Sequence, residues 1–158
     1  MDYLYAVLIG YFCGSIPTAY WLGRFVYRLN IFEHGSKNMG ATNVFRVLGK
    51  KPGIATLLVD IAKGIVPVLI VRQYMPHNPV LTFVAAAAAM MGHALSFWVS
   101  FKGGKGVATY IGLLLAAMWQ VGVAFGAIWL LTAAIFRMSS FAALVATIAV
   151  PVVAYFIN

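Results

Sequence analysis

Residues 107–136 read VATYIGLLLAAMWQVGVAFGAIWLLTAAIF, thirty positions without a single charge. As one helix they would extend about 45 Å, against about 30 Å of bilayer hydrocarbon. Two readings follow. One strongly tilted helix crosses once, or two short helices cross twice and turn near 117–122. Either way the segment is a membrane element, and that decides the fold class.

The flanks repeat the pattern. Residues 3–27, 53–71, 80–98 and 141–157 are apolar runs. Gly14 to Pro17 interrupts the first, and Asp60 with Lys63 marks the second. Between them lie one long polar stretch, 28–52, a connector, 72–79, with Pro76 and Pro79, and a Gly/Lys loop, 101–106. The 158 residues are 63% hydrophobic and 9% charged, where a soluble domain carries about 25% charge. This excludes a water-soluble fold, disorder, collagen and a disulfide scaffold. The length leaves room for about five to seven crossings. We therefore expect residues 1–158 to form a single integral-membrane domain, an all-α polytopic transmembrane helix bundle. No repeat appears beyond the alanine run 85–89. Met1-Asp2-Tyr3 lacks a basic leader and no small-residue cleavage site follows, so 3–27 reads as a retained crossing. Cys13 is the single cysteine, which rules out a disulfide within one chain.

Eleven Lys and Arg stand against three Asp and Glu. The bases lie in loops between apolar runs, so the expected partners are the anionic leaflet and anionic small molecules, with no nucleic acid. Lys and Arg accumulate on the cytoplasmic side. If 107–136 crosses twice and the N-terminus faces out, six bases and Glu33 of 24–51, Lys102, Lys105 and Arg137 all lie inside, net +8. Outside, Asp2 and Arg72 cancel. This arrangement favours six crossings with both ends outside. With a single crossing, Arg137 moves outside.

Two loops have the composition of anion sites. Residues 33–46 read EHGSKNMGATNVFR. Glycine lets backbone N–H groups approach an anion, and Ser36, Asn38, Thr42 and Asn43 add polar groups. The alternative is a cytoplasmic loop in which Ser36 or Asn38 caps a short helix. Residues 101–109 read FKGGKGVAT. Gly103, Gly104 and Gly106 surround Lys105 directly before an apolar helix, which suits a phosphate at a helix N-terminus. A Walker A spacing is missing, as is any βαβ context. The alternative is a flexible positive-inside loop. Asp60 and Lys63 share a helix face and read as a structural ion pair rather than catalytic groups. For His93, next to Gly92, a packing role and a site role both stand. His34 and His77 receive no role. No residue set has metal-ligand spacing, no Ser-His-Asp arrangement occurs, and no aspartate follows a histidine at the fifth position. A side-chain general base is therefore hard to nominate.

At these residues the chain resembles the integral-membrane acyl-phosphate:glycerol-3-phosphate acyltransferases of bacteria. The resemblance rests on Gly14-Ser15-Ile16-Pro17 through Gly23, on 33–43 continuing to Arg46 and Leu48-Gly49-Lys50, and on Gly92-His93 through 101–109. Asp60, Lys63 and Gly64 fit as well. Together these span 10–112 in the family's order. The resemblance implies transfer of a fatty acyl group from acyl phosphate to the 1-hydroxyl of glycerol 3-phosphate, giving lysophosphatidic acid and phosphate. It implies no metal or other cofactor, substrates and membrane lipid as partners, and a functional link to an acyl-phosphate-forming enzyme. It also implies a multi-pass protein of the bacterial inner membrane with its active-site loops cytoplasmic.

By the same resemblance Ser36, Arg46 and Lys105 are the essential residues. Arg46 and Lys105 would carry phosphate charge, and Ser36 would bond a substrate oxygen. Ser36 is not expected to be an acyl-enzyme nucleophile, because no base sits beside it in sequence. Gly35, Asn38, Gly40, Thr42, Asn43, His93, Gly103, Gly104 and Gly106 are expected to line the substrate site. Family members usually add a seventh crossing and a basic tail. This chain is expected to lack both, and to be weakened if the tail matters. Two other classes remain: a transporter for a phosphorylated solute, and a non-catalytic membrane subunit.

Overall fold

The computed structural model describes residues 1–157. They form helices and connecting loops, with no strand among the described residues. Helix α1 (Asp2–Ser15) breaks at Pro17, which has no N–H to give to a helix. The run resumes as α2 (Thr18–Trp21) and a π-helical turn, Leu22–Val26. The polar stretch contains α3 (Ala41–Leu48). Then come α4 (Lys50–Tyr74), α5 (Val80–Ala94), α6 (Val107–Ala117), α7 (Trp119–Phe136) and α8 (Ser139–Ile157). Five segments are long and apolar enough to cross a membrane, and α6 is an additional, shorter apolar helix.

Small residues set the helix contacts. In lipid there is little hydrophobic drive between helices, so close backbone packing does more of the work. Gly10 and Gly14 of α1 lie against the carbonyls of Ala85 and Ala89 in α5. The alanine run thereby buries Ala85, Ala86, Ala88 and Ala89. Gly64 of α4 rests on the Thr109 carbonyl, and Gly112 of α6 on that of Ile61. A side chain at any of these four glycines would collide with the facing backbone. Large apolar side chains point outward instead: Phe83, Leu130, Ile148 and Phe156 are all more than 60% exposed.

The 107–136 run reverses at Met118, between α6 and α7. Gly122 touches the backbone of Leu115, and the Tyr110 and Phe125 rings sit 5.1 Å apart. In one continuous helix the latter pair would be separated by about 22 Å. The expected turn within 117–122 is therefore present. Its two arms are unequal. Eleven residues give α6 about 16 Å, half of a full crossing. Its far end, Ala117, shares a cleft with Arg72 and Pro76. Its near end lies level with Trp129, so α7 continues about 11 Å further, to Phe136. The loop before α6 is tied back to the end of α5. Gly103 N donates to Ala94 O (3.0 Å) and Gly104 N to His93 O (3.1 Å). Non-helical backbone among membrane helices is tolerated where protein satisfies it or where it lines a cavity.

Asp60 and Lys63 pair at 2.8 Å with side chains 3% exposed. Lys63 Nζ also donates to Ile16 O at 2.8 Å, where Pro17 has broken the first helix. The pair thus ties α4 to the α1–α2 break.

Candidate active site

Asn43 organises the first polar loop. It is buried, and all its side-chain polar atoms are engaged. Its Oδ1 accepts from Ser36 N (2.8 Å), and its Nδ2 donates to Asn38 O (2.9 Å) and His34 O (3.1 Å). Gly35 has φ +60, and a side chain there would strike Asn43 Oδ1. The loop rests on an apolar cluster of Ile31, Met39, Val44 and Val99. The N-cap of α3 is Gly40 without a side-chain cap, so neither Ser36 nor Asn38 caps that helix. Asn38 Oδ1 accepts from Gly40 N (3.0 Å) instead. Helix α3 buries Val44 and Asn43 and leaves Thr42 and Arg46, one turn apart, on its open side.

The second loop is pinned to the end of α5. The N–H groups of Gly103 and Gly104 bond α5 carbonyls, so they are not free for an anion. The free donors lie further along, at the first turn of α6, whose N-cap Gly106 is left-handed (φ +73). His93 is 2% exposed. Its Nδ1 meets Thr109 Oγ1 at 3.2 Å, while its Nε2 has no partner and faces Gly104.

Both loops open onto one cavity of about 610 Å³. Of the expected residues, Ser36, Asn38, Gly40, Thr42, Asn43, Arg46, His93, Lys105 and Gly106 line it. Gly35, Gly103 and Gly104 stand behind the lining, as supports of the two loops. Residues the sequence reading left out of the site also line it. They are Asp60, the α7 side chains Trp129 and Ala133, and the α7–α8 turn with Arg137, Ser139 and Ser140. Lys105 Nζ donates to Ser140 Oγ, which joins that turn to the Gly/Lys loop. Among the described residues Arg46, Lys105 and Arg137 have no acidic partner, and the one carboxylate in the lining, Asp60, is paired with Lys63. Leu57, Val107, Ala108 and Ile111 make the deeper wall apolar. Such a cavity attracts anions and accepts an apolar chain.

Comparison with known proteins agrees with this geometry. The family model described as Glycerol-3-phosphate acyltransferase matches residues 4–158. A glycerol-3-phosphate acyltransferase of Synechococcus sp. (strain JA-2-3B'a(2-13)) is 46% identical over 150 residues, covering 95% of this chain and 74% of that protein. One from Mesorhizobium japonicum is 44% identical over 153 residues, covering 97% and 77%. The crystal structure of PlsY (YgiH), an integral membrane glycerol 3-phosphate acyltransferase in its glycerol 3-phosphate form, superposes with a TM-score of 0.92. That match has 31% identity over 100% of this chain and 78% of that one. Its lysophosphatidic acid form superposes with a TM-score of 0.89. An all-helical membrane bundle, two anion-suited loops in one cavity and relatives of this closeness place the chain in the glycerol-3-phosphate acyltransferase family.

Proposed function

We propose that the protein transfers a fatty acyl group from acyl phosphate to the 1-hydroxyl of glycerol 3-phosphate, with lysophosphatidic acid and phosphate as products. The observation that carries this reading is the single cavity in which Ser36, Arg46 and Lys105 meet beside an apolar wall. Both substrates bring a phosphate, and one brings a chain. Fixed cations and the first turn of α6 would hold the phosphates without reorganising during reaction. Arg46 can grip a phosphate through two N–H groups. Ser36 positions the acyl phosphate through a substrate oxygen.

The hydroxyl oxygen attacks the acyl carbonyl carbon, and the bond from that carbon to the bridging phosphate oxygen breaks. Phosphate leaves with the electron pair and takes the hydroxyl proton on one of its own oxygens. This route suits a cavity whose only lining carboxylate among the described residues is already ion-paired. Thr109 Oγ1 and His93 Nδ1 share a hydrogen bond, which orients the ring so that Nε2 faces the Lys105 loop. Holding both substrates in register contributes several kcal/mol of the barrier reduction. Thr42, Gly40, Asn38 and Gly106 shape the substrate contact, while Gly35, Asn43, Gly103 and Gly104 hold the loops. No cofactor enters this scheme.

The setting proposed is the bacterial inner membrane, with the cavity open to the cytoplasm. The charge count supports this, as does the placement of both loops and Arg137 at one end of the bundle. The donor would come from an acyl-phosphate-forming enzyme. The test is direct. Purified protein receives palmitoyl phosphate and glycerol 3-phosphate, and one phosphate should be released for each lysophosphatidic acid formed. No release, beside an active relative, would remove the reading in favour of a non-catalytic subunit. Uptake of glycerol 3-phosphate into vesicles without acyl product would favour a transporter.

A further inference from the structure

The α7–α8 turn brings a third cation into the cavity. Trp129 and Ala133 of α7 and its cap Arg137 lie four residues apart, and all three line the cavity. That spacing puts them on one helix face. The face is apolar within the bundle and cationic at the rim. It has the profile of an amphiphile whose charged head sits at the end of an apolar chain. Trp129 is held in place, since its Nε1 donates to Ser139 O at 3.2 Å.

The backbone holds the same residue. Arg137 ends α7 in the left-handed conformation (φ 54, ψ 23), with its N–H bonded to Ala133 O at 2.9 Å. Glycine or asparagine usually occupies such a cap. Arg28, Lys37, Ser100 and Phe101 adopt the same region, so the cap fixes the turn that carries Arg137 rather than marking a use by itself. Charge supplies a second argument. Two bound phosphates bring up to about four negative charges. Arg46 and Lys105 answer only two, and Asp60 with Lys63 adds nothing net.

We propose that Arg137 binds the phosphate of the acyl phosphate donor, with the donor's acyl chain running along Ala133 and Trp129. Arg137 is then a donor-specificity residue, and glycerol 3-phosphate relies on the other cations. This rests on acyl phosphate being the donor.

The test replaces Arg137 without disturbing the turn. Arg137→Asn keeps a residue that tolerates the left-handed cap. Its KM for palmitoyl phosphate should rise about ten- to hundredfold, as expected for loss of a charged hydrogen bond. Its KM for glycerol 3-phosphate should stay within about threefold. Arg137→Lys should recover part of the loss. If the Asn variant loses its fold, Arg137→Gln repeats the comparison. A binding arm uses the hydrolysis-resistant phosphonate analogue of palmitoyl phosphate. It should raise the Tm of the unsubstituted protein and fail to do so for Arg137→Asn, whereas glycerol 3-phosphate should shift both alike. An inactive protein that still shows this phosphonate pattern would sink the proposed reaction and leave the site standing. Unchanged KM values, an equal rise in both, or a rise for glycerol 3-phosphate alone would overturn the proposal. So would a defect confined to vesicles containing phosphatidylglycerol and absent in neutral detergent, which would assign Arg137 to bulk lipid headgroups.

Discussion

Asn43→Ala should disorder the loop that carries Ser36 while leaving the bundle folded. The substitution removes one acceptor and two donors at once, all at 3.1 Å or less. Ser36 N–H and the carbonyls of His34 and Asn38 lose their partner. Each such bond is worth about 0.5–1.5 kcal/mol net, more where the orphan stays buried, so the loop should lose about 2–4 kcal/mol of local stability. At 1.4 kcal/mol per decade this is about a thirty- to seven-hundredfold fall in the ratio of ordered to open loop. Acyl phosphate binding would have to reorder the loop, so kcat/KM should fall by up to a similar factor. Hydrogen exchange should accelerate across 31–43 and stay unchanged in α4 and α5. Asn43→Asp keeps the acceptor for Ser36 N but adds a negative charge to an anion cavity. It should restore part of the exchange protection and none of the kcat/KM. Asn43→Ala with wild-type kcat/KM would refute this reasoning. Loss of kcat/KM at unchanged exchange would also refute it, because Asn43 would then act on substrate directly.

Two further perturbations test the scaffold. Lys63→Met leaves Asp60 buried without its cation and should cost about 3–5 kcal/mol of stability, with the double change Lys63→Met and Asp60→Asn costing less. Thermal unfolding in detergent checks this, and a Lys63→Met protein as stable as wild type would contradict it. Met138→Cys in a Cys13→Ala background reports the side on which the α7–α8 turn lies. A membrane-impermeant thiol reagent should label it only after cells are opened. Labelling in intact cells would place the turn and, through Lys105 and Ser140, the whole cavity on the outer side.

Much of the fold is legible along the chain because membrane helices announce themselves locally. The uncharged length of 107–136 left one tilted helix or two short ones open, and the chain takes the second course, turning at Met118. The inequality of its two arms was hidden. It goes with Gly103 and Gly104 bonding the end of α5, a loop-to-helix contact that composition does not encode. The site divides in the same way. Glycines, hydroxyl and amide groups beside bases suggested two anion loops, and both do reach one cavity. Asn43 lines the cavity as expected of a site residue, and it also bonds Ser36, Ile31, His34 and Asn38, a scaffolding duty that composition does not encode. The charge count assigned Arg137 a side of the membrane but no role, since its place in the cavity depends on the packing of α6, α7 and α8. The Asp60–Lys63 pair followed from spacing, whereas its third partner, Ile16 O, comes from another helix.

The central claim is that acyl transfer occurs in the cavity shared by Ser36, Arg46 and Lys105. Lys105→Ala tests it most directly, because the lysine is exposed to the cavity and has no ion-pair partner among the described residues. Purified variant and wild type would receive palmitoyl phosphate and radiolabelled glycerol 3-phosphate, with lipid-extractable label counted and Tm measured on the same samples. Losing one charged hydrogen bond to substrate costs about 1.5–3 kcal/mol, so label in lipid should fall at least tenfold at nearly unchanged Tm. Wild-type incorporation by the variant would contradict the account and move the reaction away from this cavity.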